Sequence, residues 1–298
     1  MPEKNDMRLT LWLAVATGFV LRFGWLLLAR PEPVSDFLGY MELAEALAEH
    51  GQLGYPAPSA YRLPLYPVLL SLCMLVSKNV FFLGLVNVFL SAGSVLLVHR
   101  LAFRLFGQDK IATVSAWVVA LDLHFVFYAP ILASEHLFAL LVLGSLAVGA
   151  DSSGEHPHRT AVISGVLLGL ATLTRGEGIF YLPVLAGLLF FKKTSLVPSR
   201  PKRLLVASLA VGCAVLVLVP WFVRNRIQVG TGAGLSTTGG LNFYYAHSEQ
   251  YGYRPIYGTP FENQPAHEHN AIGFEAGWNF IKENPGSVFD SIVEGTRK

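Results

Sequence analysis

The side chains able to do chemistry in this chain are few, and they stand in short stretches between apolar runs. Asp36 opens a polar run that also holds Tyr40, Tyr61 and Arg62. Asp122 and His124 come next, then Glu135 and His136, then Arg175 and Glu177, while Arg22 lies alone inside an apolar segment. Two carboxylates and two arginines in one pocket suit transfer of a group from a lipid phosphate to a hydroxyl. A carboxylate takes the acceptor's proton in the transition state. Arginine meets a phosphate with a planar fork and stabilises it as the leaving group. Asp36, if it sits in the first turn of a helix, has its charged form favoured by the helix dipole and is ready to accept.

Each residue also has a plainer reading. Asp36 could cap a surface helix, and Arg62 could reach the headgroups along an apolar stem. Glu135 could pair with His124 or His136, and Arg175 with Glu177 across a turn. Gly165 and Gly169 form a small-xxx-small step that suits helix packing. His267 and His269 are two apart and point to different faces of a helix, which is poor geometry for a metal. Tyr244, Tyr245, Tyr251 and Tyr253 could stack on sugar rings or rest at an interface.

The elements that must position these groups are membrane helices. The chain has 298 residues, 53% of them hydrophobic and only 14% charged, with a mean hydropathy of +0.48. A soluble domain cannot bury that much apolar surface. The net charge of +2 gives no reason to expect nucleic acid as a partner. Cys73 and Cys213 lie in apolar runs without metal-ligand spacing.

Apolar runs suited to spans cover 9–29, 80–98, 111–128, 131–150, 160–173, 179–191 and 204–221. The first is read as a retained anchor rather than a signal peptide. An eighth run, 65–77, is short, contains Pro67 and meets Lys78 at once. Basic residues concentrate in 100–110 and 192–203, and short cytoplasmic loops are rich in Lys and Arg. Both loops fall on the cytoplasmic side with the N-terminus only if 65–77 is a re-entrant or surface helix. A single helix over 160–191 would run about 48 Å, too long for a core of about 30 Å. Gly176 and Gly178 therefore mark a turn between two short helices.

The resulting expectation is an all-α polytopic membrane protein with about seven transmembrane helices. To these are added the re-entrant or surface helix and two external amphipathic helices, 36–50 (with Ser35 as N-cap) and 266–283. The segment 230–257 reads as an irregular external loop. Residues 1–221 form the membrane module with an external loop over 30–79, and 222–298 an external region. Ionisable groups inside a bilayer mark function. Here they converge on the non-cytoplasmic ends of the helices, whereas a transporter would carry them at mid-depth as well.

Five motifs in order resemble the GT-C class of integral membrane glycosyltransferases. They are the Leu-Arg end of the first apolar run, Asp-x-x-x-Tyr at 36–40, Ala-Tyr-Arg-x-Pro-Leu-Tyr-Pro at 60–67, Ala-Ser-Glu-His-Leu-Phe at 133–138 with Gly-Leu-Ala-Thr-Leu-Thr-Arg at 169–175, and Pro-Trp-x-x-Arg-Asn at 220–225. The closest likeness is to the branch of protein O-mannosyltransferases and lipid A aminoarabinose transferases. The resemblance implies inverting transfer of a sugar, hexose or pentose, from a polyprenyl-phosphate carrier to a glycan, lipid or protein hydroxyl outside the cytoplasm. The membrane implied is the plasma (inner) membrane. Asp36 and Glu135 match the catalytic acids, Asp36 as general base. Arg62, Arg175, Tyr40, Tyr61, Glu177, Arg22 and His124 complete a substrate-binding set. No cofactor or metal is expected, since no DxD-type pair stands out. Class members continue with further spans after the large external loop, whereas this chain stops at 295–298. The expectation is therefore a fragment, a chain completed by a second one, or an inactive module. The alternatives in other classes are a non-catalytic protein that binds lipid-linked saccharide and a transporter or flippase.

Overall fold

Nearly every apolar run becomes a helix. A computed structural model of the protein describes residues 2–151, 155–191, 197, 199–248 and 259–286. These form twelve α-helices and no strand. In chain order they are α1 (Pro2–Ala29), α2 (Asp36–His50), α3 (Leu65–Met74), α4 (Val80–Phe106), α5 (Asp109–Leu121), α6 (Leu123–Tyr128), α7 (Glu135–Gly149), α8 (Pro157–Thr174), α9 (Leu182–Phe191), α10 (Arg200–Gln228), α11 (Gly239–Ala246) and α12 (His269–Glu283). Short 3₁₀ turns cover Gly176–Tyr181 and Ala266–Glu268. The stretches 192–196, 249–258 and 287–298, which hold Lys192, Lys193, Tyr251, Tyr253 and the chain end at 295–298, lie outside the described residues.

Three helices are long and apolar enough to cross a membrane: Met7–Ala29, Val80–Phe106 and Arg200–Gln228. Leu65–Met74, Glu135–Gly149 and Gly176–Phe191 are shorter apolar helices. Leu9, Trp12, Val20 and Leu28 on α1 are more than half exposed, as side chains meant for lipid should be. The protein is an all-helical integral membrane protein. The ten residues of α3 measure about 15 Å, half the thickness of a bilayer core.

The chain packs as two compact units, one of Met1–Gly54 with Pro64–Val219 and one of Tyr55–Leu63 with Pro220–Lys298. In the first, α7 and α8 pair, and α9 returns against them so that Leu185 fills the space beside Gly149. Val142, Leu168, Leu185, Leu189, Val206 and Ala210 form the core there. α8 and α10 touch through Gly165 at Ala210 and through Gly169 at Ala214 and Val217. Both residue numbers rise together, so the two helices run parallel. A Cβ on Gly165 would stand 2.2 Å from the Ala210 carbonyl oxygen, so the close approach depends on glycine.

Several expectations shift at the level of elements. The run 111–128 is not one helix. It breaks at Asp122, whose extended backbone ends α5 and whose Oδ1 accepts the Phe125 N–H at 2.9 Å to start α6. The run 131–150 becomes helical only from Glu135, after Pro130. Ser35 precedes α2 but makes no side-chain cap, because its φ of 51° turns it away from cap geometry. The apolar face of α2 packs Tyr40 and Ala44 on Tyr66, Leu70, Met74, Leu83 and Leu137, protein rather than lipid.

The second unit holds Tyr55–Leu63, which sequence reasoning had grouped with the membrane module as part of loop 30–79. The Thr237 N–H bonds the Ala60 carbonyl at 3.0 Å, and Arg224 Nη1 bonds the Ser59 carbonyl at 2.7 Å. Within 230–257, read as irregular, 239–246 form α11. α11 crosses α12 at Gly240 and Gly273, where a Cβ on Gly273 would lie 2.1 Å from the Gly240 carbonyl oxygen. Phe274 also meets the Phe243 ring of α11 at 5.3 Å, yet Phe274 and Trp278 stay 50% and 55% exposed.

Candidate functional site

α7 and α8 position the charged centre of the first unit. Glu135 is the first residue of α7, and Arg175 is the extended residue that ends α8. The Arg175 guanidinium forms an ion pair with Glu135 Oε1 and a second, at 3.3 Å, with Glu177 Oε1. Glu177 is brought there by the 3₁₀ turn, folded so tightly on α8 that a Cβ on Gly178 would sit 2.6 Å from Thr172 Oγ1. Burial works to lower the pKa of Arg175, but Glu135 and Glu177 outweigh it and hold it above the ordinary guanidinium value. The arginine is therefore a fixed positive charge. Glu135 Oε2 is enclosed and has no hydrogen-bond partner among the described residues.

Around this centre the structure gathers a set of tyrosines. The Tyr40 hydroxyl meets Ser134 Oγ at 3.1 Å, next to Glu135. Its ring stands edge-on to Tyr66 at 5.1 Å, and Asn87 Nδ2 donates to the Tyr66 hydroxyl at 2.8 Å. Asn87 also donates to the Ile131 carbonyl at 2.5 Å, which fixes the approach of the chain to α7. Tyr128 at the end of α6 lies within electrostatic reach of Glu135, Arg175 and Asp36 together. Its ring stacks on His124 at 5.2 Å and meets Phe37, the neighbour of Asp36, edge-on at 6.2 Å. Asp36 itself sits in the first turn of α2 and is half-buried.

Of the residues singled out from sequence, Asp36, Tyr40, His124, Glu135, Arg175 and Glu177 thus share one region of the first unit. Arg22 is used differently. It is fully buried, with Nε donating to Ser91 Oγ at 2.8 Å and Nη1 and Nη2 to the Ala120 and Val119 carbonyls at 2.9 and 2.8 Å. Those carbonyls belong to the last turn of α5, which has no further helix to bond them. Arg22 is a clasp on a helix end, with no free face for substrate. Glu135 pairs with Arg175, not with His124 or His136; the latter is buried against the Phe125 ring. Tyr61 and Arg62 belong to the second unit, where the Arg62 guanidinium lies over the Tyr61 ring at 5.1 Å.

Sequence reasoning did not single out Tyr66, Asn87, Ser134 or Tyr128 for the site. Tyr66 stood inside the quoted 60–67 motif, which was the available signal, but Asn87 gave none inside an apolar helix. In the second unit the Pro-Trp-x-x-Arg-Asn motif is a set of fasteners. Trp221 Nε1 donates to the Leu235 carbonyl at 2.7 Å, and buried Asn225 donates to the Gly234 carbonyl at 3.0 Å. Arg224 lies over the Trp221 ring at 4.8 Å while holding Ser59. No group of three or more His, Cys, Asp or Glu side chains is placed to hold a metal ion among the described residues.

Apolar helices of spanning length, with a carboxylate and an arginine meeting where two of the shorter helices begin and end, are features of an integral membrane glycosyltransferase of the GT-C kind. The chain belongs to the dolichyl-phosphate-mannose-protein mannosyltransferase family, whose model matches residues 58–223, more than half of its length. The matched residues include Tyr61, Arg62, Glu135, Arg175 and Trp221, and begin after Asp36 and Tyr40. No curated protein and no solved structure matches the chain.

Proposed function

We propose that the protein moves a sugar from a polyprenyl-phosphate carrier to an acceptor hydroxyl, with inversion, on the non-cytoplasmic side of the plasma membrane. The observation that carries this reading is the Arg175 guanidinium, held by Glu135 and Glu177, with Tyr128 within electrostatic reach both of Arg175 and of Asp36. In the reaction the Asp36 carboxylate accepts the proton of the acceptor hydroxyl as its oxygen attacks the anomeric carbon. The bond from that carbon to the carrier phosphate breaks, and the phosphate leaves with the electron pair. Arg175 faces the departing negative charge, and Glu135 holds Arg175 in place. One displacement leaves no covalent sugar–enzyme intermediate, and the reaction needs no metal.

The test is transfer from radiolabelled polyprenyl-phosphate sugars by protein reconstituted in lipid, wild type against Asp36→Asn. Removal of a general base is expected to slow transfer about 10²–10⁴-fold with the fold intact. Wild-type rates in Asp36→Asn would refute the base assignment. Absence of turnover in wild type with every carrier, even with added membrane extract to supply a second chain, would refute the transferase reading itself.

A further inference from the structure

The parallel pairing of α8 and α10 brings their N-terminal ends together, and a cleft of about 610 Å³ opens there. It is lined by His156, Arg159 and Lys202, by Val197 and Leu205, and by Glu155 as the one acid among the described lining residues. The next acid along the chain, Asp151, is already paired with Arg104 at 3.7 Å. Two helix N-termini add their partial positive charges and their unbonded N–H groups to the same end. Arg203, next to Lys202, is 6% exposed, and its Nε and Nη1 find no hydrogen-bond partner among the described residues. Its guanidinium rests over the Phe190 ring at 5.8 Å. Among the described residues at this end Arg159, Lys202 and Arg203 stand against Glu155, so positive charge is in excess there. The 18 residues of α8 put this end about 27 Å from Arg175, so the cleft is separate from the site described above.

The apolar lining decides what kind of anion fits. Leu204 and Leu205 are 58% and 60% exposed beside Lys202, on a helix of spanning length. A small inorganic anion would leave them uncovered, whereas a lipid covers them with hydrocarbon. We propose that this cleft is a binding site for an anionic phospholipid. Arg159, Lys202 and the ends of α8 and α10 hold its phosphate, and its acyl chain runs along Val197 and Leu205.

The experiment uses the full chain purified in neutral detergent and titrated with short-chain phosphatidylglycerol, short-chain phosphatidylcholine or inorganic phosphate. Thermal melting and native mass spectrometry read the binding. Phosphatidylglycerol is expected to bind and to raise Tm, with little effect from the other two. Arg159→Gln with Lys202→Gln is expected to weaken binding roughly fivefold for each cation removed. Arg100→Gln, an exposed cation outside the cleft lining, leaves binding unchanged. If the double variant does not fold, Lys202→Met alone, at an exposed position, serves with the same fivefold expectation. Phosphatidylcholine binding as tightly as phosphatidylglycerol would overturn the charge selection, and inorganic phosphate raising Tm as much would overturn the lipid. Equal weakening by Arg100→Gln, or no Tm rise with phosphatidylglycerol, would overturn the site.

Discussion

Arg175 is the residue on which structure and chemistry meet. Its pairs with Glu135 and Glu177 are partly open, with side chains 31%, 40% and 58% exposed, and pairs of that kind contribute only about 0–1 kcal/mol to stability. A purely structural arginine would therefore be replaceable. Arg175→Lys keeps the charge but loses the planar fork. It is expected to lower Tm by no more than a few degrees while cutting the transfer rate at least tenfold, read as kcat against KM in the reconstituted assay. A rate equal to wild type would leave Arg175 as a turn brace and nothing more. The polar groups of this centre were legible in the sequence because ionisable side chains at the ends of apolar runs stand out. Their partners were less so. Glu135 had His136 next to it in sequence, yet it bonds Arg175, 40 residues away, because α7 and α8 pair with the start of one beside the end of the other. The Tyr40–Ser134 and Tyr66–Asn87 contacts join residues 94 and 21 apart, and no local pattern announces them.

Helices were readable wherever a run of apolar residues was long, and misread where a single polar residue cut it. Asp122 is the clearest case: its side chain caps α6, so one run yields two helices. α11 was missed because Gly239 and Gly240 open it, and glycine lowers helix propensity. The structure shows why Gly240 is there, since the α11–α12 crossing has no room for a Cβ at that position. Gly165 and Gly169 were read as a packing step, and the distances agree. The prediction at this scale compares two glycines on the facing helices. Gly165→Ala drives a methyl to 2.2 Å from the Ala210 carbonyl, whereas a Cβ on Gly212 meets nothing within 4 Å. Gly165→Ala is expected to cost about 1–3 kcal/mol of stability. Gly212→Ala is expected to be neutral or to stabilise by up to about 1 kcal/mol. Thermal melting in one detergent checks both, and equal Tm values for the two variants would contradict the seam.

At the scale of the whole molecule, the sequence made the membrane character plain because composition alone carries it. The division into two units was harder to see. Tyr55–Leu63 lies between two segments of the first unit and yet packs with Pro220–Lys298, through bonds that span more than 160 residues of chain. Arg22 ties the first unit together over a shorter reach, 69 to 98 residues, joining α1 to α4 and to the end of α5. Arg22→Met removes the side-chain donors that reach the Val119 and Ala120 carbonyls, and is expected to cost about 2–5 kcal/mol of stability. Arg22→Lys recovers part of that, because one ammonium cannot reach all the acceptors. Melting of the two variants against wild type decides it. The same clasp bears on how the protein is made. When α1 enters the membrane, α4 and α5 have not yet been synthesised, and a lone arginine in a nascent span carries an insertion penalty of about 2.5–3.5 kcal/mol if central. The leucines of α1 must carry that burden unaided. Only when two later segments arrive does the cation acquire its oxygen ligands, so α1 stays unsecured until α5 is in place.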